Sequence, residues 1–165
     1  RDVLGSRGLG DVYKRQPNNS GKSLYAESLA VENTGSPLFY LATMIPQTDE
    51  NHERIEKHKR QRFGKGFTTI EEPWNIHELN IPSDAVVLLE DASNLLANGI
   101  FQYQADAEQC FRRIIDLAGQ CKKLIIVSIA GLTSGEYDAE TNHYINQLNL
   151  LNVKLEQAAS RCFKF

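Results

Sequence analysis

The sequence contains few cysteines and no long hydrophobic run, and both absences narrow the class of protein. Its cysteines, Cys110, Cys121 and Cys162, are far apart, odd in number and form no C-x-x-C pair. A disulfide framework or a cysteine-based zinc site is therefore not expected, and reduced thiols in a cytoplasm are the simpler interpretation. No apolar run approaches the roughly 20 residues that a membrane-spanning helix requires, and the first residues lack the pattern of a signal peptide. We therefore expect a cytoplasmic protein without a membrane span.

A strong excess of charge of one sign is also missing. The formal net charge is −3 over 165 residues, of which 24% are charged and 41% are hydrophobic. These fractions are ordinary for a globular protein, whereas a general nucleic-acid binder would be expected to be basic. The length suits one domain with a sizeable core better than two domains. We therefore expect a single domain that does not bind nucleic acid.

Short apolar strands alternate with helices from Pro17 onward, without any internal repeat. The predicted strands are residues 38–42, 67–70, 85–89 and 124–128. The predicted helices are residues 23–31, 49–63 and 105–118, with a last helix that carries Ile145, Leu148, Leu151, Leu155 and Ala158 at helical spacing. This alternation is typical of an α/β fold in which a mostly parallel sheet has helices on both faces.

One motif in this pattern points to a nucleotide. Residues 20–23 (SGKS) match the second half of the P-loop consensus G-x-x-x-x-G-K-[ST], although Gln16 occupies the position of its first glycine. In that motif Gly21 lets backbone amides approach a phosphate and Lys22 reaches the β- and γ-phosphates, while the Ser23 hydroxyl can ligate Mg²⁺. We therefore expect a P-loop NTPase fold of the RecA-like type. The predicted phosphate-binding residues are Pro17, Asn18, Asn19, Ser20, Gly21, Lys22 and Ser23.

The segment ahead of this motif is unusual. A P-loop normally follows a buried strand, but Lys14 and Arg15 would be costly to bury, and residues 1–16 resemble translated sequencing-adapter read-through. We interpret residues 1–16 as a non-native leader and residues 17–165 as one nucleotide-binding domain, and we also consider truncation at the C-terminus. The alternative is a genuine but unusually polar edge strand.

A P-loop fold also needs an acidic group at the end of a buried strand to hold Mg²⁺. Glu90 and Asp91 follow the apolar strand at residues 85–89. Carboxylates after a strand also commonly mark a turn or a helix cap. Because they occur together with the SGKS segment, we favour the metal interpretation and predict Ser23 and Glu90 as the metal ligands.

Several further segments, in a fixed order, resemble the bifunctional adenosylcobinamide kinase / adenosylcobinamide-phosphate guanylyltransferases of cobalamin biosynthesis. The resemblance covers about residues 17–100 well. It is carried by Ser20-Gly21-Lys22-Ser23-x-x-Ala26-Glu27, Tyr40-Leu41-Ala42-Thr43, Asp49-Glu50, Arg54-Ile55-Glu56-Lys57-His58-Lys59 ahead of Arg62, Thr69-Ile70-Glu71, Leu88-Leu89-Glu90 and, more weakly, Asn152.

The resemblance implies two reactions, phosphorylation of adenosylcobinamide and transfer of GMP from GTP to adenosylcobinamide phosphate. ATP and GTP would be substrates, Mg²⁺ the cofactor, and the assembly a homotrimer. His58 matches the histidine that attacks the α-phosphate of GTP, and Lys22 would be the second catalytic residue. Imidazole is nucleophilic near neutral pH. The helix at residues 49–63 is polar on nearly every face, which favours an exposed or mobile element that delivers His58 as a lid.

The resemblance also implies further residues of the nucleotide site by their position. Glu71 and Glu90 would hold the guanosine or the metal, since a carboxylate can accept two adjacent guanine N–H donors. The sequence does not decide between these two carboxylates. The remaining implied residues are Thr43, Met44 and Ile45 after the second strand and Lys59, Arg60, Gln61 and Arg62 at the phosphates.

Two other functions stay open. One is a P-loop kinase for a different small molecule, in which His58 would bind phosphate and no covalent GMP would form. The other is a nucleotide-binding regulatory protein. It is suggested by residues 129–136, which depart from the Asn-Glu-Val-Gly stretch usual in the family.

Overall fold

A mostly parallel sheet organises the chain, as the alternating pattern predicts. The computed structural model describes residues 4–5, 11–14, 21–33 and 35–164. The strands of the sheet lie in the order β1-β7-β2-β6-β5-β3-β4. They are β1 (Leu4–Gly5), β2 (Asp11–Lys14), β3 (Leu38–Ala42), β4 (Phe67–Glu71), β5 (Val86–Leu89), β6 (Lys123–Val127) and β7 (Arg161–Lys164).

The central strands run in one direction. β3 pairs in parallel with both β4 and β5, and β5 pairs in parallel with β6. β2 continues this parallel arrangement between β6 and β7, whereas β1 pairs antiparallel with β2 and β7. The carboxyl ends of β3, β4, β5 and β6 therefore share one edge of the sheet, here called the carboxyl edge. Ligands of open parallel sheets bind at this edge.

Five α-helices and one 3₁₀ turn connect these strands in the described part of the chain. Thr48, Asp91, Asp106 and Asp138 each accept a hydrogen bond from a backbone N–H of the helix that follows, as N-caps do. No helix in the described residues combines the length and the apolar character needed to cross a membrane. The helices are α1 (Lys22–Val31), α2 (Asp49–Arg62), α3 (Ala92–Tyr103), α4 (Ala107–Ala118) and α5 (Ala139–Ala158), and the 3₁₀ turn is η1 (Ile76–Glu78).

Both faces of the sheet are buried, and successive residues of β5 point to opposite cores. Val87 and Leu89 belong to the larger core, which α3, α4 and α5 cover. Val86 and Leu88 belong to a smaller core, which α1 covers with Ala26, Leu29 and Ala30. Burial on both faces explains why β5 and β6 read as continuous apolar runs rather than alternating ones. The predicted α/β fold with helices on both faces is confirmed.

The predicted elements are found within about two residues of their expected ends, and the differences have local causes. Helix α3 was not predicted, because Gly99 and two asparagines in it lower its intrinsic helix propensity. Asp91, which follows Glu90 after the apolar strand, is the N-cap of this helix. β1 and β2 fall inside the segment interpreted as a leader, and β2 pairs with β6 ahead of α1. The leader interpretation stays a prediction.

Gly99 is needed for the packing of Trp74. A Cβ atom placed at Gly99 would lie 2.4 Å from Cη2 and Cζ3 of Trp74. The indole is 2% exposed, stacks on Tyr103 with ring centroids 6.0 Å apart, and has the Arg113 guanidinium 4.4 Å from its ring centroid. Trp74 is therefore packed against both groups and has little room to move away.

We expect Gly99→Ala to destabilise the protein despite the better helix propensity of alanine. Overpacking costs about 1–3 kcal/mol, against which the propensity gain is about 1 kcal/mol. A melting temperature lower by a few degrees should be seen by calorimetry, at about 2–4 °C per kcal/mol. Gly119→Ala is the control, because its Cβ would meet nothing closer than a carbonyl oxygen at 3.5 Å. An unchanged or higher melting temperature for Gly99→Ala would contradict the packing argument.

Candidate active site

Helix α1 begins where the sequence predicts a phosphate site. Gly21 precedes its first residue with φ at 74°, a left-handed conformation that glycine adopts at little cost. The first N–H groups of a helix have no intrahelical partner, and Gly21 adds no side-chain cap, so these groups can face an anion. The Lys22 side chain is buried and Ser23 is half-buried. The remaining predicted loop residues, Pro17, Asn18, Asn19 and Ser20, lie outside the described residues.

His58 lies at the carboxyl edge of the sheet beside Glu90. Its Nε2 atom is 3.9 Å from Oε1 of Glu90, and the two side chains are 15% and 6% exposed. This distance is too long for a hydrogen bond but short enough for electrostatic attraction. A carboxylate beside an imidazole stabilises positive charge that develops on the ring. The arrangement suits a histidine that becomes cationic during a reaction.

A narrow crevice surrounds this pair. It adjoins a cavity of about 720 Å³ between the end of α2 and β4. This volume is within the range of small-molecule sites. Lys59, Arg62 and Glu71 line both spaces. The crevice residues are Ala42, Met44, Ile55, His58, Lys59, Arg62, Glu71 and Glu90. The structure thus brings together many of the predicted site residues.

Arg62 lines both spaces and packs against Tyr40. Arg62 is buried, donates from Nε to Oγ1 of Thr69 at 3.1 Å, and places its guanidinium carbon 4.0 Å from the Tyr40 ring centroid. Burial raises the pKa of Tyr40 well above its usual value, the Glu90 carboxylate raises it further, and Arg62 opposes the shift. The phenol therefore stays neutral near physiological pH and hydrogen-bonds to Glu90. Tyr40 and His58 both contact the same carboxylate.

The structure places other predicted site residues outside the crevice. The Thr43 hydroxyl is buried against α3, where it accepts a hydrogen bond from Asn94 at 3.2 Å and lies 3.4 Å from the carbonyl of Asp91. The Ile45 carbonyl accepts a hydrogen bond from Asn51. Gln61 donates to Glu27 of α1. Arg60 lines a groove on the outer side of α2 together with His52, Glu53, Glu56 and Lys57.

The donor chemistry of the site fits a magnesium ion. The described residues contain no group of three or more His, Cys, Asp or Glu side chains that could hold a metal. Magnesium at nucleotide sites needs only one or two protein oxygens, because phosphates and water complete its shell. The Ser23 hydroxyl and the Glu90 carboxylate are such oxygens. Asp91 is engaged as a cap, since its Oδ1 accepts from the backbone N–H of Ser93 at 3.0 Å.

Three polar residues around the site received no role from the sequence, although Glu27 and Tyr40 belong to segments that carry the resemblance. The sequence could have identified Glu27, because it is a charged residue beside Ala26 and close to Leu29 on the buried face of α1. It could not have identified Tyr40, since an aromatic residue in an apolar strand is usually part of the core. Asn98 lies in the helix that was not predicted. Its amide donates to the carbonyls of Thr43 and Pro73 at 2.9 and 2.8 Å, and so joins the loops after β3 and β4.

Comparison with known families extends the resemblance beyond residue 100. The family described as cobinamide kinase / cobinamide phosphate guanyltransferase matches residues 16–164 of the chain. A comparison with curated proteins found no match. The match spans the P-loop helix, the histidine-bearing helix α2 and all strands from β3 onward. With the parallel sheet, it shows that the chain belongs to the cobinamide kinase / cobinamide phosphate guanyltransferase family, a family of P-loop NTPases.

Proposed function

We propose that the chain phosphorylates adenosylcobinamide with a nucleoside triphosphate and then transfers GMP from GTP to the product through a guanylylated His58. The family carries cobinamide kinase and guanyltransferase activities. The observation that supports the histidine intermediate is the position of His58, 3.9 Å from Glu90 beside a cavity at the carboxyl edge. A homotrimer, which rests on the family resemblance, and a cytoplasmic location, which rests on the cysteine pattern, belong to the same proposal.

In the kinase reaction, the hydroxyl of adenosylcobinamide attacks the γ-phosphorus and the nucleoside diphosphate leaves. Phosphoryl transfer depends mainly on positioning and on neutralising the charge of the phosphate oxygens. Lys22 would contact the β- and γ-phosphates, and the first N–H groups of α1 would hold the phosphates in place. Mg²⁺, held by Ser23 and Glu90, would supply further positive charge. His58 takes no part in this step.

In the guanylyl reaction, an imidazole nitrogen of His58 attacks the α-phosphorus of GTP. An N–P bond forms, the bond from this phosphorus to the bridging oxygen breaks, and pyrophosphate leaves. A phosphate oxygen of adenosylcobinamide phosphate then attacks the same phosphorus, which breaks the N–P bond and frees His58. Glu90 would stabilise the positive charge on the ring, while Lys59 and Arg62 would pair with the phosphates.

Burial and contacts distinguish the roles of the two candidate carboxylates. Glu90 is buried and contacts both His58 and Tyr40. Glu71 ends the edge strand β4, is exposed, and lines the cavity of about 720 Å³. An exposed carboxylate on a cavity wall can accept the N1–H and N2–H₂ donors of guanine together. We therefore assign Glu71 to the base and Glu90 to the metal and the histidine.

His58→Ala should abolish covalent labelling by GTP carrying ³²P on its α-phosphate. The substitution removes the nucleophile and leaves the start of α1 intact, so nucleotide binding should change little. Denaturing electrophoresis detects the label, which should be lost in acid as a phosphoramidate is. The matched control is His52→Ala, because His52 is exposed on the same helix and lies in its outer groove.

The outcomes of this experiment distinguish the proposed mechanism from the two alternative functions. Labelling of His58→Ala at the wild-type level would remove His58 from the mechanism. An unlabelled wild type that still consumes ATP with cobinamide would indicate a P-loop kinase without a covalent intermediate. A wild type that binds nucleotide and turns over neither substrate would indicate a regulatory protein.

Lys22→Ala should impair both reactions, because both place a triphosphate at the start of α1. Removing one charged donor from such a site lowers kcat by on the order of 10²–10³-fold. Phosphorylation of cobinamide and covalent GMP labelling would be measured separately. Lys122→Ala is the control, since this exposed lysine contacts Ser36 at the opposite edge of the sheet. Normal rates of both reactions in Lys22→Ala would show that the SGKS match is coincidental.

A further inference from the structure

Helix α2, which carries His58, is attached to the domain mainly at its C-terminal end. Arg62 in its last turn is the one residue of the helix that is buried. It stacks on Tyr40 and donates to Thr69, while His58, one turn earlier, keeps 15% of its side chain exposed. A helix with so little apolar surface gains little from hydrophobic packing. Specific polar contacts near residue 62 must therefore determine where His58 lies.

Further polar contacts come from Glu27 in the middle of α1. Its side chain is 1% exposed. Oε2 accepts a hydrogen bond from Nε2 of Gln61, and Oε1 lies 3.6 Å from Nζ of Lys65. Oε1 has no hydrogen-bond partner within the described part of the structure, so Lys65 offsets its charge. We call the contact of Glu27 with Gln61 and Lys65 the Glu27 latch.

A carboxylate this deeply buried is costly unless it is paired. The smaller core around it is apolar, and its partners come from the far end of α2 and from the loop that follows. If α2 shifts along or away from α1, Glu27 loses both partners at once. The latch therefore favours one arrangement of the two helices. An apolar contact would also permit slightly shifted arrangements.

The latch lies close to both reacting groups along the chain. Ser23 and Glu27 are four residues apart in α1, so they share one face of the helix that begins at the phosphate site. His58 and Gln61 are three residues apart in α2 and are likewise neighbours on one face. One helical turn therefore separates Glu27 from Ser23, and one turn separates Gln61 from His58. A shift of α2 relative to α1 at the latch would change the distance between His58 and a bound phosphate.

We propose that Glu27 is a positioning residue for guanylylation, which holds the His58-bearing helix at a fixed place relative to the phosphate-binding helix. This inference rests on the proposed function, because it concerns the attack of His58 on GTP. Glu27 touches neither substrate in this scheme and acts through Gln61 and Lys65. The kinase reaction does not use His58 and is therefore insensitive to the latch.

The test compares the two reactions in Glu27→Ala, Glu27→Gln and Lys65→Met of the whole chain. In Glu27→Ala the rate of covalent GMP labelling at saturating GTP should fall about 10-fold or more, since a misplacement of about 1 Å can cost 10²-fold. Phosphorylation of cobinamide by ATP should stay within about three-fold of wild type. Glu27→Gln keeps an acceptor for Gln61 and should label at an intermediate rate. Glu32→Ala, an exposed glutamate at the end of α1, should match wild type in both reactions.

Each result has one meaning. Equal losses of labelling and phosphorylation in Glu27→Ala would reduce Glu27 to a structural role and overturn the proposal. Should that variant fail to fold, Glu27→Gln carries the test, because it keeps an acceptor for Gln61 and buries no charge. Labelling of the folded variants at the wild-type rate would overturn the latch alone. A wild type that phosphorylates cobinamide but takes no label would overturn the proposed function, and the latch with it.

Discussion

The in-register parallel pairing of β3 with β4 and β5 determines where each candidate site residue can lie. Leu38 is level with Phe67 on one side and Val86 on the other, and Ala42 is level with Glu71. The ladder continues past the strands, because the N–H of Glu90 donates to the carbonyl of Leu41 at 3.1 Å. Three separate strands therefore end at the same level, and the polar residues that follow them meet there.

This edge combines a rigid platform with a weakly attached helix. The strands are buried on both faces, and Asn98 ties the loops after β3 and β4 to α3. Helix α2 lies over the same edge with almost no apolar surface of its own. Rigid strands hold the charged groups at their ends in place, whereas a helix with little apolar surface depends on a few polar contacts for its position. Most of the candidate site therefore lies on the sheet, and the contacts of α2 determine where His58 lies.

Much of this arrangement could be predicted from the sequence, and the failures have physical reasons. Apolar runs such as residues 85–89 identify buried strands because period and burial are visible in the chain itself. Parallel order then places Glu71 and Glu90 at one edge. Helix α3 was missed, since Gly99 is chosen for the Trp74 ring rather than for helix propensity. The pairing of Glu27 with Gln61 depends on two helices distant in sequence, and no local pattern encodes it.

Buried polar residues near the C-terminal end of α2 explain how a helix with little apolar surface can still hold one position. Glu27, Tyr40, Arg62 and Glu90 come from four different elements, and each contacts or interacts electrostatically with at least one other. Buried charge pairs seldom stabilise a fold more than apolar packing of the same volume does. They do penalise every arrangement in which a partner is lost, because an unpaired buried charge is costly. An apolar contact between α1 and α2 could slide by a fraction of a turn and keep most of its energy, whereas this charged contact cannot. A histidine on such a polar helix therefore gains a defined position at the expense of packing energy.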